Sequence, residues 1–68
     1  MPISYKKLWK LLIDKEMTAV DLRQATGIAP NTMTKLRRDE EVSMAVLEKV
    51  CTALDANIGD IMDFIPEA

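Results

Sequence analysis

Thr18 to Arg38 reads TAVDLRQATGIAPNTMTKLRR, and the fold turns on how this stretch is divided. Thr18 with Asp21 three positions on is the pattern of a capped helix start, and Met17 and Leu22 stand at the spacing of a hydrophobic staple. Gly27 supplies the left-handed residue that ends such a helix, and Pro30 suits the first position of another. The spacing therefore predicts a short helix over 18–26, a tight turn, and a second helix over 29–38. At about 100° per residue, the large apolar residues of that second helix, Met33 and Leu36, fall opposite Asn31, Thr34, Lys35 and Arg38. One side anchors the helix, and the other offers amide, hydroxyl and cationic groups to something outside.

The same construction recurs on both flanks. Ile3, Ser4 as cap and Leu8 open a first helix over about 4–15; Val42, Ser43 and Leu47 open another over 43–54. Ile28, Ala29 at the cap position, Pro30 and Met33 fit the third start. Asn57 with Asp60 opens a last helix over 57–64, with Ala56 as a weak staple. Tyr5, Leu8, Trp9 and Leu12 share one face of the first helix, and Leu22 and Ala25 are the expected buried residues of the second. Leu47, Val50, Cys51 and Leu54 follow the i, i+3, i+4, i+7 spacing, and Ile61 and Met62 complete the core. The expectation is an all-α, five-helix domain spanning residues 1–68, with its helix-turn-helix unit at 18–38.

Composition narrows the function. The 68 residues are 49% hydrophobic, with one cysteine and no histidine. A lone thiol cannot close an internal disulfide, and without histidine or a second thiol there is no zinc set, so no metal or cofactor is expected. No apolar run approaches the length of a membrane span and no signal-type segment is visible, which points to a cytoplasmic protein. Neither a histidine base, an activated nucleophile nor a phosphate-cradling glycine loop is present, so catalysis is not expected. Nothing indicates a small-molecule ligand.

The net charge of −2 hides a division. Residues 1–38 carry eight cations against three anions, and residues 39–68 carry one cation against eight anions. A basic half suits a polyanion. Two helices joined by a tight glycine turn place the second in the major groove of double-stranded DNA, where its first residues meet base edges. Asn31 can pair with adenine, Lys35 can donate to guanine, and Thr34 can touch a base or a thymine methyl. Arg37 and Arg38, at the helix exit, suit phosphates, as do Thr18 and the amides opening the preceding helix.

From Met17 to Phe64 the chain resembles the Xre/Cro-type helix-turn-helix family of phage and bacterial repressors. Leu22-Arg23-Gln24-Ala25-Thr26-Gly27-Ile28 and the later run VSMAVLEKVCTALDANIGDIMDF carry the likeness. The resemblance implies a phage-repressor-like five-helix domain that binds operator DNA as a homodimer and regulates transcription, as a repressor or autoregulator. It puts base-reading positions at Pro30, Asn31, Thr34 and Lys35, and backbone-contacting positions at Thr18, Ala19, Ala29 and Arg38. Relatives carry Gln at the position of Ala19 and Ser or Thr at that of Ala29; neither alanine can hold a phosphate, and Ala29 forfeits a cap of about 1 kcal/mol. Arg23 stands where broader members have a small residue. The acidic run Asp39-Glu40-Glu41 would oppose a nearby phosphate, so modest, salt-dependent affinity is expected.

Other features have plainer readings. Most of the methionines fill gaps in the core or initiate the chain, Cys51 is a buried structural residue, and Trp9 with Tyr5 is semi-buried packing. Leu11, Ile13, Phe64 and Ile65 are candidates for a homodimer patch. A second hypothesis keeps the fold without the DNA: a protein-interaction module whose acidic half docks a basic partner.

Overall fold

The computed structural model describes residues 2–66. Strand β1 (Ile3–Ser4) is followed by helices α1 (Lys6–Asp14), α2 (Ala19–Thr26), α3 (Pro30–Arg37) and α4 (Met44–Leu54). A 3-10 turn at Ile58–Asp60 then leads into strand β2 (Asp63–Phe64).

The starts of α2 and α4 follow the local code. The Thr18 hydroxyl accepts from the Asp21 amide at 3.1 Å, and the Asp21 carboxylate accepts from the Thr18 amide at 2.9 Å. Two amides that the helix itself cannot satisfy are thereby paired. Ser43 Oγ accepts from the Val46 amide at 3.2 Å and does half of the same task for α4. Gly27 ends α2 at φ 69°, with its amide donating to the Arg23 carbonyl at 2.8 Å.

The other helices end differently. Glu16, Asp39 and Asp55 all adopt positive φ, at 57°, 57° and 52°. In each case the next amide reaches back over the last turn: Met17 to Leu12, Glu40 to Lys35 and Ala56 to Cys51, at 2.8, 2.9 and 2.9 Å. This is the bonding of a Schellman motif, with an acidic residue where glycine is usual.

The expected fifth helix over 57–64 is not formed, and the chain is not all-α. Only the 3-10 turn appears, although the Asn57 amide does donate to the Asp60 carboxylate at 3.0 Å. Gly59 makes a helix over this stretch less favourable by about 0.5–1 kcal/mol, and its last residues are taken up by a strand. Strand pairing satisfies the backbone instead. Antiparallel β1 and β2 align Ile3 with Phe64 and Ser4 with Asp63, and the Ile65 amide donates to the Pro2 carbonyl at 2.9 Å. Ser4 is therefore not the cap of α1 but a strand residue, and α1 begins two positions later than 4.

The N-terminus of α1 is closed by residues distant in sequence. Leu8 donates to the Ile61 carbonyl at 3.1 Å, and the Tyr5 amide donates to Asp39 Oδ1 at 2.9 Å. The Tyr5 hydroxyl donates to the Glu40 carbonyl at 2.9 Å. Burial, followed by the nearby charges of Asp39 and Glu41, raises the Tyr5 phenol above its ordinary pKa.

All four helices feed one core. Tyr5, Leu8 and Leu12 meet Leu22, Ile28, Met33 and Leu36, while α4 adds Leu47, Val50 and Leu54. Ile61 and Met62 are buried too, so these two residues keep their expected place although their helix does not exist. Tyr5, expected to be semi-buried, is buried outright, and two further burial expectations need correction. Ala25 is exposed, because α2 turns Leu22 inward and leaves Ala25 off the buried face. Cys51 is only half-buried at the core's edge.

Candidate nucleic-acid interface

The geometry of α3 follows from where its apolar residues lie. Ile28 is buried just beyond Gly27 and pins the turn, while Met33 and Leu36 fix the helix to the core. Ala29 takes an extended conformation and Pro30 begins the helix with φ already suited to it. With its inner face so held, the remainder of α3 must point outward.

Pro30, Asn31, Thr34, Lys35, Arg37 and Arg38 are all exposed. Asn31, Thr34, Lys35 and Arg38 stand at i, i+3, i+4 and i+7 and so make one stripe along the helix. Among the described residues, the side chains of Asn31 and Lys35 have no hydrogen-bond or ion-pair partner. Thr34 donates its hydroxyl hydrogen to the Pro30 carbonyl at 3.2 Å, so toward solvent it offers a methyl group and an acceptor. Arg38 lies 3.9 Å from Glu40, with the two side chains 72% and 48% exposed. Such a loose, solvated pair contributes little and yields readily to a better anion.

Thr18 and Ala29 are exposed at the starts of α2 and α3, and Ala19 is half-buried. Ala29 makes no side-chain cap. Its carbonyl takes the Thr32 and Met33 amides at 3.0 and 3.2 Å, leaving the Asn31 amide open at the positive end of the helix dipole. Arg37 differs from Arg38 in lining a cleft between α2 and α3, together with Ala19, Val20, Arg23, Pro30, Met33 and Thr34.

The sequence marks Arg23 only as a departure from the small residue of broader family members. It is exposed at the last turn of α2 and lines the same cleft. Arg23 stands one residue after inward Leu22 and four after Ala19, a spacing that turns it about 100° off the buried face and was the available signal.

The acidic loop is disposed less unfavourably than its composition suggests. Asp39 does not project freely, because its carboxylate is held on the Tyr5 amide at the start of α1, where the helix dipole offsets its charge. Glu40 turns toward Arg38. Among the described residues no helix is long and apolar enough to cross a membrane.

Comparison with known proteins bears on this arrangement. A family model described as the Cro/C1-type HTH DNA-binding domain matches residues 7–67. Among solved structures, the crystal structure of transcriptional regulator VanUg, Form II, is 45% identical in sequence. It superimposes with a TM-score of 0.93 over 97% of this chain and 88% of that one. No curated protein is significantly similar in sequence.

Proposed function

The chain belongs to the Cro/C1-type helix-turn-helix DNA-binding family, and from that premise we propose that it is a sequence-specific transcriptional regulator, a repressor or autoregulator, that reads the major groove with α3. The observation carrying this reading is the stripe of Asn31, Thr34, Lys35 and Arg38, exposed on a helix that Met33 and Leu36 hold from behind. Asn31 pairs with an adenine edge and Lys35 donates to guanine; Thr34 packs its methyl against thymine, and Pro30 fills the space beside the first base.

Grip on the backbone comes from Arg37, Arg38 and the amides that open α2 and α3 near Thr18, Ala19 and Ala29. The similar VanUg structure, titled a transcriptional regulator, supports the regulatory role. A homodimer sets two α3 helices about 34 Å apart on one face of the duplex. Exposed Ile13, Phe64 and Ile65, with half-buried Leu11, are the candidates for its contact surface.

Selection of bound fragments from a random DNA pool tests the proposal. It should return one preferred sequence, with half-sites a helical turn apart if the protein binds as a dimer. Asn31→Ala should then relax preference at one base position, at a cost of about 1–3 kcal/mol. Equal loss on the selected site and on random DNA would remove Asn31 from the reading, and no retained fragment at low salt would remove DNA from it.

A further inference from the structure

The cleft between α2 and α3 differs in its charge from four other concavities of the surface. Arg23 lines it from α2 and Arg37 from α3, and no carboxylate lines it. Four other surface cavities each include at least one Asp or Glu. Among the described residues neither arginine forms an ion pair, whereas Lys7 and Arg38 do. The cleft has a volume of about 200 Å3, and Ala19, Val20 and Met33 are apolar members of its lining. Apolar walls of this kind strengthen the field of the charges above them.

We infer that Arg23 and Arg37, one from each wall of this cleft, together grip a single phosphate of the DNA backbone. The inference rests on the DNA-binding reading above and adds a residue of α2 to it. Guanidinium presents a planar fork of N–H donors that matches two phosphate oxygens. Thr34 contributes bulk rather than a donor, since its hydroxyl hydrogen is committed to the Pro30 carbonyl. Ala19, in the lining, and Ala29, next in sequence to Pro30, have no side-chain donor at all. The arginine pair is thus the means by which the outer edge of the helix-turn-helix can hold an anion through its side chains.

The test is binding of a random-sequence duplex, followed by fluorescence anisotropy as salt rises about fourfold. Each phosphate contact contributes about 0.9 to the slope of log affinity against log salt. The double variant R23A/R37A should therefore lose about 3.5-fold less affinity across that range than the wild type. Arg23→Ala alone should weaken the selected and random duplexes by the same factor, and Arg23→Lys should keep the salt slope while losing affinity. Thermal melting of each variant establishes that it is folded, which the exposure of both arginines favours.

A slope change twice as large, about 12-fold in affinity over the same range, would mean two separate phosphates and overturn the shared grip. Unchanged affinity in Arg23→Ala, with Lys35→Ala still weakened, would remove Arg23 and leave the proposed function intact. Loss confined to one selected base would make Arg23 a base reader instead. Absence of DNA binding by the wild type would remove the function itself and the phosphate site with it.

Discussion

The helix-turn-helix of α2 and α3 and the joined chain ends are secured by opposite means. In the first, Thr18 and Asp21 cap each other three residues apart, Gly27 returns its amide to Arg23, and Ala29 accepts from Thr32 and Met33. In the second, Tyr5 reaches Asp39 and Glu40 across 34 and 35 positions, and Lys7 reaches Gly59 and Asp63 across 52 and 56. A locally determined unit can present its polar face in one fixed geometry before anything binds. Contacts of long sequence span cost more loop-closure entropy, and here the two from Tyr5 fasten the loop through which α3 exits.

The contrast implies unequal energetic weight, and truncation on each side measures it. Leu36 is fully buried beneath α3, so Leu36→Ala should cost about 2–5 kcal/mol. Phe64, in the paired ends, is 62% exposed, and Phe64→Ala should change stability by less than about 0.5 kcal/mol. Urea denaturation of both variants measures the difference. Comparable losses would show that the ends carry as much of the core as α3 does.

The clamp joining the two regions comes next in size. Asp39→Ala removes a charged acceptor from the Tyr5 amide and should cost about 1.5–3 kcal/mol. Tyr5→Phe removes the bond to the Glu40 carbonyl and should cost about 0.5–1.5 kcal/mol. Tyr5 also gives the clamp a pH signature. Burial and the charges of Asp39 and Glu41 raise its pKa above 10.0 in the folded protein. Stability tied to the protonated phenol is therefore full below pH 10.0 and lost as pH rises through the higher folded value. Denaturation measured on the alkaline side should show that decline in the wild type and not in Tyr5→Phe.

What could be read from the sequence follows the same division. Thr18 with Asp21, Gly27, Pro30 and Ser43 are instructions whose partners lie within four residues, and each marks its helix boundary correctly. The pairing of Ile3 with Phe64 carries no such mark, because two-residue strands have no period and their partner lies at the far end. Asn57 and Asp60 do bond as their spacing suggests, yet a cap starts a turn without ensuring that a helix follows. The exposed stripe on α3 could be read from periodicity, whereas the cleft that Arg23 and Arg37 both line could not. Spacing assigns a residue to a face of its own helix and says nothing of which neighbour that face meets.

The smallest expected effects concern helix ends, where local sequence is poorest. Glu16, Asp39 and Asp55 hold left-handed positions, which cost a residue with a Cβ about 1–2 kcal/mol. Glycine escapes that cost but loses about 0.5–1 kcal/mol through its more flexible unfolded chain. Among the described residues, neither Glu16 nor Asp55 uses its side chain in a hydrogen bond or ion pair. Glu16→Gly and Asp55→Gly should therefore stabilise the protein by roughly 0.5–1 kcal/mol each, seen as a rise in Tm of a few degrees. Asp39→Gly relieves the same backbone strain while cutting the bond to Tyr5, so its net effect should be a loss. The sign is the informative quantity: if all three glycine variants gain stability alike, the Asp39 carboxylate is not fastening α1 to the exit of α3.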